Sequence, residues 1–143
     1  MMSCDVNVLV YAHNVDAPRH AEYEKWLEDA LEGPEPFGVS SLVLSGFIRI
    51  ATHPGILTNP YSAVEAVEAA TRVRSAPSAV NLGPGPQHWS IFTELCRVSN
   101  AKGNLVADAY LAALAIEHRC EWNTTDQDFA RFPGLRWRHP LDH

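Results

Sequence analysis

Apolar and polar positions along the chain alternate between a helical period and short extended runs. The stretch from 16 to 33, DAPRHAEYEKWLEDALEG, sets Tyr23, Trp26, Leu27 and Leu31 at helical spacing. It predicts an amphipathic helix with Asp16 as N-cap, Pro18 close behind and Gly33 at its end. PFGVS (36–40) predicts a short strand, and SLVLSGFIRIAT (41–52) a buried helix despite its β-branched residues. HPGILTNPYS follows as a loop by its Pro and Gly content. SAVEAVEAATRVRS (62–75) predicts a helix opened by a capping box, Ser62 with Glu65. SAVNL is a brief strand, and GPGP leads into a helix over 87–99.

The segment 103–118, GNLVADAYLAALAIEH, is apolar on nearly every side and predicts a buried helix capped by Asn104. CEWNTT, DQDFARFPG and LRWRHPL then read as strand, short helical turn and strand. At the start of the chain, MSCDVNVLVYAH allows two readings. By propensity, 4 to 11 is one strand. Alternatively the strand ends at Asp5 and Asn7 opens a short helix, which aims the carboxylate out of a sheet. The second is preferred, because ligand sites in such sheets lie beyond the carboxyl ends of the strands. Strands and helices thus alternate over a single domain, 1–143, which predicts an α/β sandwich with a parallel central sheet flanked by helices.

Composition narrows the classes. A chain of 143 residues, 46% hydrophobic and 20% charged, can bury a substantial core. No apolar run is long enough for a bilayer, and the N-terminus lacks a basic signal region, so the cytoplasm is expected and no membrane. Cys4, Cys96 and Cys120 are widely spaced without a CxxC, as buried hydrophobes in a reducing compartment rather than a zinc site. The net charge of −6 argues against broad nucleic-acid affinity but not against a nuclease with an acidic, cation-recruiting site.

The acids are the chemical signal. Asp108 is placed in the first turn of its apolar helix, where an ionised carboxylate is costly unless paired, hydrogen-bonded or bound to a metal. Asp5 follows the first strand; Asp126 and Asp128 follow the strand 120–124, preceded by Thr124 and Thr125. Singly, each has a structural explanation as a cap, a turn residue or a helix-dipole partner. Together they form an oxygen-only set that suits Mg²⁺ or Mn²⁺ and phosphoryl chemistry. No GxSxG, P-loop or GxGxxG is present, and the prolines of GPGP remove donors that a phosphate cradle needs. The seven histidines are scattered and receive no metal role. In FARFPGLRWRHP, Arg131, Arg136, Arg138 and Trp137 are positioned to touch RNA, although a core strand with solvated charges is the commoner explanation.

DVNVLVYAH, LVLSGFIRIATHPGIL, GPGPQHW, GNLVADAYLAALAIEH and TTDQDFARFPGLRW, in this order and over nearly the whole chain, resemble PIN-domain toxins of the VapC type, closest to a mycobacterial-type branch. The resemblance implies a three-layer α/β sandwich and a metal-dependent ribonuclease toxin, held by a VapB-type antitoxin and often a homodimer. It implies that Asp5, Asp108 and Asp126 are the catalytic, Mg²⁺- or Mn²⁺-binding acids. Asn7 matches the polar residue after the first acid and Asp128 a frequent extra acid; Thr125, Arg49 and Asn104 stand beside them as supporting residues. Many PIN domains carry E-x-x-R in the helix after the second strand. Here SGFIR puts Gly46 at the glutamate position and keeps Arg49. That departure favours the rival expectation, a PIN-like protein that binds antitoxin or RNA without cutting. A receiver-type phosphoacceptor domain would need a lysine near the last strand, and neither Lys25 nor Lys102 is so placed.

Overall fold

The computed structural model describes residues 1–142. Five strands, β1 (Met2–Cys4), β2 (Phe37–Ser40), β3 (Ala79–Leu82), β4 (Glu121–Asn123) and β5 (Trp137–Arg138), form one parallel sheet in the order β3-β2-β1-β4-β5. Between them run α1 (Val6–His13), α2 (His20–Glu32), α3 (Ser41–Ala51), α4 (Ala63–Arg74), α5 (His88–Ser99) and α6 (Asn104–Glu117). A 3₁₀ turn, Gln127–Arg131, precedes β5. The expected α/β sandwich is the observed one. No helix among the described residues is long and apolar enough to cross a membrane.

Short strands suffice because the core is closed by helices. α1 packs on α2 and α3, α3 on α4, and α5 on α6. Val8, Leu9, Phe37, Phe47 and Phe129 are almost wholly buried, and each such side chain contributes about 1.5–3 kcal/mol relative to exposure. The apolar surface of α6 divides along its length. Ala109 and residues 111–115 are buried, where the small alanines admit close neighbours, whereas Asn104, Val106 and Ala107 face solvent.

Three local expectations change. Strand β1 stops before Asp5 and a short helix follows, as preferred, but Val6 rather than Asn7 opens α1, with Asp5 as its cap. Asp16 does not cap α2: turns occupy the preceding residues, and the helix begins after Arg19, which sits in the left-handed region at φ 60°. Asn104 does not cap α6. Gly103, at φ 56°, takes that position without a side-chain bond, a conformation that costs glycine least. Asp108 consequently lies one residue further into α6 than the sequence suggests, just past its first turn.

Candidate active site

Strand order reverses between β1 and β4, since the chain builds β2 and β3 on one side of β1 and then β4 and β5 on the other. An open parallel sheet leaves a crevice beyond the strand ends at such a switch point. Asp5 follows β1 and Asp126 follows β4, so the two flank it.

Backbone geometry then holds both side chains. Asp5 Oδ1 accepts the Val6 N–H at 2.7 Å, and its Oδ2 accepts the Thr124 hydroxyl at 2.8 Å. The Thr124 Oγ1 in turn accepts the Asp126 N–H at 3.0 Å. Asp126 Oδ1 accepts the Asp128 N–H at 2.8 Å and caps the 3₁₀ turn. One continuous chain of hydrogen bonds therefore fixes Asp5 relative to Asp126. Both acids serve as local caps, yet a carboxylate has about four lone-pair sites, so capping leaves acceptor capacity toward the crevice.

Asp108 arrives from α6. Its carboxylate has no hydrogen bond or ion pair among the described residues. Burial, and then the charges of Asp5, Asp126 and Asp128, push its pKa up to about 6. Asp5 is also raised, by burial first; the Thr124 and Val6 hydrogen bonds oppose that rise and the Asp126 charge adds to it. Burial is the larger cause in both, and nearby carboxylates add to it, as like charges without a counter-charge do.

The three acids line one cleft of about 480 Å³, together with Asn7, Arg49 and Asn104. Arg49 is exposed, and no ion pair among the described residues engages it. Two expected contributors fall outside. Asp128 is exposed, 3.7 Å from the Arg131 guanidinium, and its charge adds to the rise of Asp108. Thr125 lines a neighbouring hollow; Thr124, which sequence reasoning passed over, is the threonine inside the network. The register could have found it. Thr124 continues β4 through its N–H to the Arg138 carbonyl, and it is fully buried.

Gly46 also has a physical role. A Cβ there would meet Val6 Cγ2 at 2.9 Å, so the glycine allows α3 to pack closely against α1. No histidine lines the cleft. His13 and His118 instead bond backbone carbonyls, of Leu9 at 2.7 Å and Gly83 at 2.8 Å.

The donor set is all oxygen and carries excess negative charge, which fits a hard divalent cation and not zinc. Among the described residues, no three His, Cys, Asp or Glu side chains stand close enough to enclose an ion by themselves. Mg²⁺ does not require that, because it commonly keeps several waters and uses one or two carboxylates. The chemistry of Asp5, Asp108 and Asp126 suits such an ion only if one or two of them bind it directly and waters complete its shell.

Known proteins share the family and the fold. The PIN domain family model matches residues 2–135. A VapC ribonuclease of Mycobacterium bovis is 46% identical over 142 residues, covering 99% of this chain and 97% of that protein. Ribonuclease VapC31 of Mycobacterium tuberculosis is 37% identical over 140 residues, covering 98% and 99%. Among solved structures, VapBC2 from Rickettsia felis, bound to a DNA fragment from its promoter, superposes with a TM-score of 0.71 at 18% identity, over 96% of this chain and 97% of that one. VapC20 of Mycobacterium tuberculosis, a toxin that cleaves the sarcin–ricin loop, superposes with a TM-score of 0.65 at 16% identity, covering 95% and 99%.

Proposed function

The chain belongs to the VapC branch of the PIN-domain family, and on that premise we propose that it is the toxin of a toxin–antitoxin pair, a ribonuclease that hydrolyses RNA phosphodiesters with Mg²⁺ or Mn²⁺. The observation that carries this reading is the meeting of Asp5, Asp108 and Asp126, from three separate elements, in one cleft at the switch point. Asp5, Asp108 and Asp126 would hold the cation. Bound there, it would supply charge neutralisation for the phosphate and activation of a water.

The chain's own residues do the positioning. Thr124 locks the Asp5 carboxylate through Oδ2 and holds the backbone of Asp126 through the same hydroxyl. Asp108, raised to about 6 by burial and its neighbours, gains most from a cation, whose charge relieves the repulsion among the acids. Arg49, at the cleft wall, is free to meet a phosphate oxygen. The partner would be a VapB-type antitoxin that inserts an arginine or lysine against the acids, since a guanidinium matches paired carboxylates. A homodimer working in the cytoplasm is part of the same reading.

The second reading, a binder that cuts nothing, is favoured by Gly46, because its contact with Val6 leaves no room for a fourth acid without movement. The test is cleavage of RNA by protein freed of any partner, with Mn²⁺ and with excess EDTA, beside Asp108→Asn. Cleavage that needs Mn²⁺ and disappears in Asp108→Asn supports the nuclease. Cleavage unchanged by EDTA, or by Asp108→Asn, would overturn the metal assignment, and none under any condition would favour the binder.

A further inference from the structure

The cleft has a neighbour along the same edge of the sheet. Beyond the ends of β4 and β5 lies a hollow of about 460 Å³, walled by Thr124, Thr125, Gln127, Trp137, Arg138 and His139, with the exposed Asp142 at its side. Thr124 links the two: its hydroxyl holds Asp5, an acid of the cleft, and its backbone N–H bonds the Arg138 carbonyl at 3.0 Å. Whatever occupies the hollow is therefore one strand away from whatever occupies the cleft.

The chemistry of the walls is specific. Trp137 is half-buried and offers an aromatic surface. Arg138 is exposed; its guanidinium donates to the Asp142 carbonyl and lies 4.0 Å from Glu121, leaving N–H donors over. Gln127 is exposed, and its side-chain amide is without a hydrogen bond among the described residues. It has a donor and an acceptor to offer a base edge. His139 is already held, by the Tyr23 hydroxyl at 3.4 Å and the Leu141 N–H at 3.1 Å, so it forms fixed wall. The other two arginines of this segment are turned elsewhere, Arg131 to Asp128 and Arg136 to the Arg119 carbonyl at 3.1 Å.

An aromatic face, a guanidinium and an uncommitted amide together suit an unstacked nucleotide, since proteins read single-stranded RNA by stacking and by hydrogen bonds to base edges. We propose that this hollow is a nucleotide subsite: it seats one base of single-stranded RNA beside the scissile phosphate, with Trp137 against the base, Gln127 on its edge and Arg138 on a flanking phosphate. The subsite rests on the ribonuclease reading for its place next to the cut, but its binding can be measured apart from cleavage.

The experiment uses the full chain carrying Asp108→Asn, so that RNA is not consumed, and a fluorescein-labelled single-stranded RNA of mixed sequence, about ten nucleotides long. Fluorescence anisotropy gives the affinity with and without Trp137→Leu, Trp137→Phe and Gln127→Ala. Trp137→Leu is expected to weaken binding roughly tenfold, Gln127→Ala a few-fold, and Trp137→Phe to keep most of it. In otherwise wild-type protein, Gln127→Ala is expected to change the nucleotide preferred at one position beside the cut, mapped by sequencing the RNA ends. Gln127→Ala sits on an exposed turn and keeps the test alive if Trp137→Leu unfolds. A protein that cuts RNA while both positions leave affinity and cut-site preference unchanged overturns the subsite alone. A protein that cuts nothing but loses RNA with Trp137→Leu keeps the subsite and overturns the nuclease. Absence of RNA binding in the parent overturns both.

Discussion

Helix α6 carries two carboxylates in opposite circumstances. At its C-terminal end, Glu117 accepts the Gly85 N–H at 2.7 Å and the Gln87 N–H at 2.9 Å. Burial would raise its pKa, but those bonds, with the charges of His118 and His88, outweigh it and hold the carboxyl below its ordinary value. Toward the N-terminal end, Asp108 has no such partner and is pushed up. The GPGP loop explains the first case. Pro84 and Pro86 have no N–H, and the donors of Gly85 and Gln87 are spent on a carboxylate of the protein itself. An acid whose lone pairs are filled by backbone serves the fold, and one left unfilled among other acids is suited to a ligand.

Exchanging the chemistry of the two acids is the most severe way to break this contrast. Asp108→Asn is expected to lower Mn²⁺-dependent RNA cleavage at least about 100-fold, close to 3 kcal/mol of barrier, without lowering the melting temperature. Glu117→Gln should do the reverse. It keeps cleavage within a few-fold but loses about 2 kcal/mol of stability, because charge-assisted bonds to two backbone N–H groups are weakened. Cleavage assays and urea melts on both variants decide it. A stable, inactive Glu117→Gln or an unstable, active Asp108→Asn would reverse the roles.

Thr124 sharpens the comparison, because it belongs to both fold and site. Thr124→Val removes the hydroxyl that donates to Asp5 and strands the Asp126 N–H. The expected cost is about 2 kcal/mol of stability, with cleavage down roughly tenfold, and Thr124→Ser should restore both in part. A valine variant with full activity would show that Asp5 needs no such orientation.

Much of this arrangement was legible in the sequence. Alternating strands and helices implied the sandwich, and acids at strand ends implied a shared crevice. The failures are local. Thr124 and Thr125 are identical letters, and only the pairing of β4 with Arg138 decides which faces Asp5. Asn104 looks like a cap, but the positive φ of Gly103 takes that position. Gly46 reads as a lost ligand, whereas its close approach to Val6 is a packing fact about α1 and α3 that one sequence does not reveal. Gly46→Ala tests this. Helix propensity favours alanine by about 1 kcal/mol, and overpacking against Val6 costs about 1–3. A small net loss is expected, on the order of 1 kcal/mol. In the Val6→Ala background the same change should become stabilising. A gain from Gly46→Ala alone would mean that Val6 yields freely and that a fourth acid could be accommodated.

The smallest expected effect is the pH dependence that Asp108 imposes. Its folded pKa, about 6, exceeds the ordinary carboxyl value of 3.8, so between these two the native protein holds more protons than the unfolded chain. Stability from this group is therefore complete below about pH 3.8 and is lost as pH rises through 6. For a half-buried side chain screened by solvent, the loss is about 1 kcal/mol. Asp108→Asn removes the titrating group. In metal-free protein the variant should gain on the parent as pH rises from 5 to 7.5, and level off above that. Mn²⁺ should cancel the variant's advantage at pH 7.5 by stabilising the parent, since a cation that binds only the folded state adds to its stability. The comparison is a set of urea melts at several pH values, with EDTA and then with Mn²⁺. Parallel curves for parent and variant in EDTA would mean that Asp108 is not held among its fellow acids, and the contrast with Glu117 would then rest on hydrogen bonds alone.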